Sequence, residues 1–493
     1  MSRGIPYADT LVLCLSELDS FLIFVCDRRV ALALIIELEH YHPSEVLAMH
    51  IRALYQRLTS YPQRLYRPLL LLVVALCVLM GRAGTASAQD SSVLMQIPSM
   101  LSPAAQISFI AAAPSEDEVY TVYGHAGLRV QDAQQGLDVV FNYGIFDFSE
   151  DFLLRYIQGK TDYIVLPMPT EVFRESYAGR ELQEVVLETT SGQRSRMWAL
   201  LLKNIQPENR VYRYNAFRNN CSTRPLDLYF ETLSLPPDLQ GPLDMVALHF
   251  DDQHSPYLRP TTWRQVINRL EAGLPWLVLG TDLAMGPELD QEMHPLERLF
   301  IPTDAAKILS SSSYGRMGAT DTVWIKPCAQ YIRTEGTEPA PHGGFHFTHP
   351  LIIFSLLLLL SLAIYVLRAR GRRIYGFVEF IIYVVAGLSG CLLLYISCFS
   401  EHPMVFPNWN LLALHPGYLI LALLIPFGSR TVEVRRILSI ALLLPLLAFP
   451  IVALFAGQVI NPSVYVIALS LFILCLGRAR WFPSFLVPLP SLS

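Results

Sequence analysis

Five apolar stretches dominate the chain after His349: Pro350 to Leu367, Ile374 to Phe399, Leu411 to Phe427, Ile437 to Ala456 and Val459 to Leu476. Each is close to the roughly 20 residues a helix needs to cross a bilayer core, where backbone N–H and C=O groups must be paired within the segment, so a bundle of five spanning helices is expected over 346–480. Arginines set its orientation. Arg368, Arg370, Arg372 and Arg373 follow the first stretch, Arg430, Arg435 and Arg436 the third, and Arg478 and Arg480 the fifth, while the loops after the second and fourth carry no Lys or Arg. Positive charge stays in the cytoplasm, so everything before the first stretch and the loop 400–416 lies outside, and 481–493 is a cytoplasmic tail. A 52% hydrophobic and 16% charged composition agrees with an integral membrane protein. A net charge of −5 without a basic, aromatic-interleaved patch argues against a nucleic-acid partner.

A second signal supports that orientation. Leu69 to Met80 is apolar, preceded by Arg57, Arg64 and Arg67 and followed by Ala86-Ser87-Ala88, the anatomy of a secretory leader cleaved after Ala88. Residues 49–88 are therefore read as a signal peptide starting at Met49, and 1–48 as a mis-called extension, with a retained anchor helix as the competing reading. Residues 89–345 have the composition of an ordinary globular domain delivered to the periplasm.

Of eight cysteines, only Cys221 and Cys328 fall in that domain. An oxidising compartment permits a Cys221–Cys328 disulfide, though a lone bridge is a weak staple for a domain this large. The flanks of Cys221 favour chemistry instead. Val211 to Asn215 has strand character and Pro225 to Leu233 reads as a helix capped by Ser222 or Thr223, which places Cys221 at a strand-to-helix turn. The helix's first amides and Arg224 are expected to lower the thiol pKa and favour a nucleophilic thiolate. A buried, inert cysteine is the bland alternative.

A thiol nucleophile needs a base. Tyr120 to Val130 and Leu137 to Tyr143 alternate apolar and polar residues around Gln134-Gln135-Gly136, the pattern of a β-hairpin. Pairing Leu128 with Phe141 sets Asn142 opposite Gly127, on the face that carries His125. An amide there would hold the imidazole and fix its tautomer, so Cys221, His125 and Asn142 form the candidate catalytic group. Asn220, Arg224 and Tyr123, adjacent in sequence, are candidate substrate-binding residues.

The external loop adds His402, Asn408 and Asn410, which are expected either to bind lipid headgroups or to cap the following helix. His342, His346 and His349 lie around a Gly pair and read as a juxtamembrane linker rather than a metal site; neither metal nor cofactor is expected. Glu379 is expected to snorkel to the cytoplasmic interface. Trp263 to Phe300 reads as a helical cover over the sheet.

Several separated motifs share one family. Tyr123-Gly124-His125, Phe141 through Phe148 (FNYGIFDF), Gly159 through Tyr163 (GKTDY), Asn219 through Pro225 (NNCSTRP), Pro275-Trp276 through Gly280-Thr281-Asp282-Leu283 and Asn408 through Leu412 (NWNLL) together resemble the Lnb-type bacterial lipoprotein N-acyltransferases. The resemblance runs over roughly residues 95–480. It implies an α+β fold, a papain-like, permuted NlpC/P60-like periplasmic domain in which the His precedes the Cys, followed by the five-helix bundle. It also implies Cys221 as nucleophile and His125 as general base. A phospholipid is the implied acyl donor and a diacylated lipoprotein the acceptor, at the bacterial inner (cytoplasmic) membrane. Two rivals remain open: a membrane-anchored cysteine peptidase or amidase acting on cell-wall peptides, and a non-catalytic lipid-binding scaffold.

Overall fold

The computed structural model describes residues 97–146, 151–233, 246–316, 324–336, 347–371 and 376–481. The expected extension, leader and cytoplasmic tail beyond 481 fall outside these residues, as do His342, His346 and the Asp147-Phe148 end of its motif.

Seven strands, β1 (Gln106–Ala112), β2 (His125–Asp132), β3 (Leu137–Ile145), β4 (Asp162–Pro169), β5 (Leu182–Leu187), β6 (Val211–Arg213) and β9 (Cys328–Arg333), form one sheet in the order β6-β4-β3-β2-β1-β5-β9. Every neighbouring pair is antiparallel. β7 (Val246–Phe250) and β8 (Ser312–Arg316) pair separately. The helices of this part are α1 (Phe152–Ile157), α2 (Thr170–Ser176), α3 (Ser191–Asn204), α4 (Thr223–Thr232), α5 (Trp263–Leu270), α6 (Pro275–Ala284) and α7 (Pro302–Ser311).

Period-two alternation splits the sheet into two apolar faces. Phe109, Leu128, Phe141 and Val185 pack with Trp198 of α3, Tyr229 of α4 and Leu309 of α7; the Trp198 and Phe141 rings meet edge-on at 5.7 Å. Ile110 and Val140, one position out of phase, pack on the other face against Phe173 of α2. The hairpin has the expected register, with Leu128 opposite Phe141 and Gly127 opposite Asn142. Its first strand is shorter than the alternation implies. Val119–Tyr123 winds into a 3-10 turn and Gly124, at φ 76, turns the chain so that pairing begins at His125.

Part of the segment expected to cover the sheet does so, with Leu296 and Leu299 in its core, and part reaches the apolar helices. α6 packs on α8 (Pro350–Ala369) and α9 (Gly376–Phe399), two of the apolar helices. By length and composition the described residues hold four helical runs able to cross a membrane: α8, α9, a 46-residue run over Asn410–Phe455, and α13 (Pro462–Ala479). The Asn410–Phe455 run contains both the expected third and fourth spans. It consists of α10 (Asn410–Ala413), α11 (Gly417–Leu424), a 3-10 stretch with Gly428 at φ 60, ψ −129, and α12 (Val432–Phe455). Pro416, Pro426 and Gly428 explain why the third span is assembled from short pieces. Glu379 does not snorkel. It is fully buried, paired with Arg368 and, at 2.7 Å, with Arg478.

Polar contacts join the sheet domain to the apolar helices. Asn408 Nδ2 donates to Leu283 O (2.7 Å) and Asn410 Nδ2 to Asp282 O (2.9 Å), while Asn461 Nδ2 reaches Asp282 Oδ2 (2.9 Å). Arg264 closes this cluster, bonding Asp282 at 2.6 Å and Asp290 at 2.8 Å. On the α1 side Ser400 Oγ donates to Ile157 O (2.7 Å), Glu401 N to Gln158 O (2.8 Å) and His402 Nε2 to Tyr156 O (2.5 Å).

Candidate active site

Cys221 is positioned by a loop that uses every polar side chain near it. Asn215 and Asn219 exchange backbone hydrogen bonds, and Asn215 Oδ1 accepts from the N–H groups of Phe217 and Arg218. The helix is then capped by Asn220 rather than by Ser222 or Thr223, for Asn220 Oδ1 accepts from both Ser222 N (2.8 Å) and Thr223 N (2.9 Å). Its amide donates to Ala216 O and Phe300 O, each at 2.8 Å, and Ser222 Oγ to Leu299 O at 2.6 Å. Asn220 thus fixes Cys221 in place, and both ends of its side chain are occupied.

His125 reaches the same point from the sheet. Its Nε2 lies 2.6 Å from Asn142 Oδ1, the juxtaposition expected from the hairpin register. Asn142 Nδ2 faces Met168 Sδ, so the amide oxygen points at the ring. Nε2–H is then the donor, and the neutral ring keeps Nδ1 as its basic nitrogen. Tyr177 stacks on the imidazole at 5.6 Å and Phe173 lies at 6.3 Å. Between Cys221 and His125 stands Gly144, where β3 shifts register at φ 96; a Cβ there would lie 3.3 Å from His125 Cε1 and 3.4 Å from Cys221 Cβ. The backbone N–H groups of Ala126 and of Cys221 itself reach the thiol.

Burial governs the charge of both groups. Cys221 is 7% exposed, and desolvation pushes its thiol up to about 11 against the smaller downward pull of those two N–H groups. The expected lowering at a helix start therefore does not occur. Arg224 turns away to lie 4.3 Å over the Tyr212 ring and to bond Asn219. Desolvation likewise lowers His125 to about 4; its hydrogen bond to Asn142 opposes this and the Arg180 charge adds to it. At neutral pH the resting pair is a thiol and a neutral imidazole. Cys328 is also a free thiol, so the disulfide alternative is not realised.

Aromatic rings continue from the thiol toward the external loop. Tyr163 and Tyr214, which share electrostatics with Cys221, pack at 4.0 Å; Phe146 meets Tyr163 at 5.0 Å and Phe152 at 5.4 Å, and Phe152 meets Tyr156 at 6.1 Å. Tyr156 then packs on His402 at 5.4 Å. Val119, Tyr120, Leu153 and Leu154 are exposed around this strip.

The structure thus brings Cys221, His125 and Asn142 together. It uses Asn220 as a cap and Arg224 as a ring partner, and it places His402, Asn408 and Asn410 at the domain junction instead of facing open headgroup space. Tyr123 hydrogen-bonds Glu271. Sequence reasoning passed over Gly144, Tyr177 and Glu271; only Gly144 carried a signal, as a glycine interrupting a strand pattern. His349 accepts from Leu351 N and caps α8, and the described residues hold no cluster of metal-ligating side chains.

No curated protein and no solved structure matches the chain. Two family descriptions do: the Lnb N-terminal periplasmic domain over residues 101–269 and the Lnb transmembrane domain over 343–480. They fall in the order and on the two parts seen in the fold, and together they span more than half of the chain, which therefore belongs to the Lnb family of membrane proteins with a periplasmic domain.

Proposed function

We propose that the protein is a lipoprotein N-acyltransferase of the bacterial inner membrane, with Cys221, His125 and Asn142 as its catalytic group. The observation that carries this reading is a thiol and an oriented imidazole, joined through aromatic rings to the loop where the periplasmic domain meets the apolar helices. A soluble peptide substrate needs no such path, whereas a phospholipid acyl chain does.

The chemistry follows from two neutral partners. As Cys221 Sγ attacks the ester carbonyl of a phospholipid, its proton passes to His125 Nδ1, and the Nε2–H bond to Asn142 steadies the imidazolium that forms. The N–H groups of Cys221 and Ala126, which reach the resting thiol, serve in this reading as the oxyanion hole. The imidazolium then protonates the departing glycerol oxygen, leaving a thioester and a lysophospholipid. The α-amine of a diacylglyceryl-cysteine attacks that thioester; the C–S bond breaks, sulfur regains a proton through His125, and an amide is released. Exclusion of water from the apolar site favours the amine over hydrolysis.

The test is mass spectrometry of lipoprotein N-termini in cells carrying wild type or Cys221→Ala as the sole source of this activity. The wild type should yield N-acylated termini and an acyl adduct on Cys221, and the variant neither. N-acylation persisting with Cys221→Ala would overturn the proposal and leave a scaffold.

A further inference from the structure

Most buried carboxylates of the periplasmic domain are matched to arginine. Asp282 and Asp290 share Arg264, Glu184 pairs with Arg129, Glu181 with Arg333 and Asp304 with Arg269, at 2.6 to 3.3 Å. Asp132, without a cation, accepts hydrogen bonds at both oxygens. Glu271, at the C-terminal end of α5, is 0% exposed and differs from all of these. Its Oε1 accepts from Tyr123 Oη (2.5 Å) and Thr281 Oγ1 (2.9 Å), but its Oε2 is buried with no hydrogen-bond partner. Among the described residues no cation acts on its charge. Desolvation and then Asp282 raise its pKa, the two hydroxyls lower it, and the balance is about 7. An orphaned buried carboxylate oxygen is costly, which makes sense where a ligand supplies the missing partner.

Its surroundings say which ligand. Tyr123 precedes His125 by two residues, and Thr281 precedes Asp282, which holds Asn410 and Asn461 at the membrane junction. Tyr156, whose carbonyl accepts from His402, feels the Glu271 charge. The carboxylate is therefore tied through Tyr123 to the segment that leads into the imidazole strand and through Thr281 to the helix that packs on the apolar helices, and what it lacks is a small cation with N–H donors.

Building on the acyl-transfer reading, we propose that Glu271 binds the α-ammonium of the acceptor and takes the proton the amine must lose before attacking the Cys221 thioester. The balance is simple. One proton moves from the ammonium nitrogen to Glu271 and later to solvent; the nitrogen lone pair forms the N–C bond; the C–S bond breaks with its electron pair on sulfur; the second nitrogen proton reaches sulfur through His125. The buried imidazole is spared a proton it holds poorly.

The experiment separates the half-reactions in the full-length protein in detergent, with a phospholipid donor and a synthetic diacylglyceryl-cysteine peptide bearing a free α-amine. Glu271→Gln should acylate Cys221 within about threefold of wild type, and hydroxylamine, a nucleophile already mostly uncharged at neutral pH, should release that acyl group at the wild-type rate. Transfer to the peptide should fall about 100-fold or more, with partial recovery in Glu271→Asp. Transfer by Glu271→Gln within about threefold of wild type would overturn the proposal, and so would equal loss of acylation and transfer in both variants. Absence of any acyl group on wild-type Cys221 would instead remove the acyl-transfer reading, and the Glu271 role with it.

Discussion

Gly144 offers the sharpest test of the site's geometry, because replacing it with alanine adds one carbon at the point where the two reactive residues converge. Two effects follow and they can be separated. Positive φ at 96° is unfavourable for any L side chain, by about 1–2 kcal/mol. For a domain of this size that corresponds to a fall in Tm of about 2–8 °C. The second effect is local. A Cβ at 3.3 Å from His125 Cε1 and 3.4 Å from Cys221 Cβ forces one of them to give by a few tenths of an ångström, and the imidazole is tied to Asn142 at 2.6 Å. If a displacement of 1 Å costs about 100-fold, a few tenths costs about 4- to 10-fold in the rate of Cys221 acylation.

Gly136, in the hairpin turn, provides the control. It also has positive φ (65°), yet nothing lies within 4 Å of the position its Cβ would take. Gly136→Ala should therefore lose stability comparably while acylating Cys221 at the wild-type rate. Thermal unfolding and single-turnover acylation, measured on both variants, decide the matter. Equal rates in Gly144→Ala and Gly136→Ala would refute the argument that Gly144 sets the spacing of thiol and imidazole, and an unchanged Tm in both would refute the strain argument.

Three further expectations concern charge. Burial depresses His125 from 6.5 to about 4, so its native state binds fewer protons than the unfolded chain; its contribution is complete above pH 6.5 and is lost as pH falls toward 4, a difference of about 3 kcal/mol. The stability gap between wild type and His125→Gln should shift by that amount across this window, and a constant gap would contradict it. With the thiol pushed up to about 11, alkylation of resting Cys221 by iodoacetamide should be slow at neutral pH and rise about tenfold per pH unit up to that point. A plateau near neutrality would reveal a preformed thiolate–imidazolium pair. Asp282→Ala leaves buried Arg264 half-matched and Asn461 without its acceptor, and should cost about 3–5 kcal/mol, read by thermal unfolding and by protease cleavage between α5 and α6.

What the sequence revealed and what it concealed divide along one physical line. Strand periodicity is a local rule with a period of two, so the pairing of Gly127 with Asn142, and hence the amide beside His125, could be worked out from residue order alone. Breaks in the third span were equally local, in Pro416, Pro426 and Gly428. The expected lowering at Cys221 fails because a helix start is visible in sequence whereas desolvation depends on Ala126, Tyr163 and Tyr177 arriving from elsewhere in the chain. His402, Asn408 and Asn410 illustrate the same limit. A polar side chain beside a membrane can satisfy itself on a headgroup or on a backbone carbonyl, and only the approach of α1 and α6 selects the carbonyl. Glu271 carries no signal in the sequence, since nothing local reports that Tyr123 and Thr281 close over it.

On the acyl-transfer proposal, burial of Cys221 and His125 suits a transferase working between two lipids in an oxidising compartment. A thiolate exposed at rest would be the species most readily oxidised, and water reaching it would also reach any thioester formed on it. Keeping thiol and imidazole neutral lowers the reactivity of the empty enzyme, and it shifts proton transfer to the moment when the ester carbonyl is already against sulfur. The same desolvation that raises Cys221 lowers His125, so the two shifts have one cause and are both relieved by the developing negative charge on substrate oxygen and positive charge on imidazole. The amine half-reaction has the opposite need, since its nucleophile arrives charged and must be neutralised. In that proposal Glu271, a separate carboxylate poised near neutrality, meets that need without raising the basicity of His125.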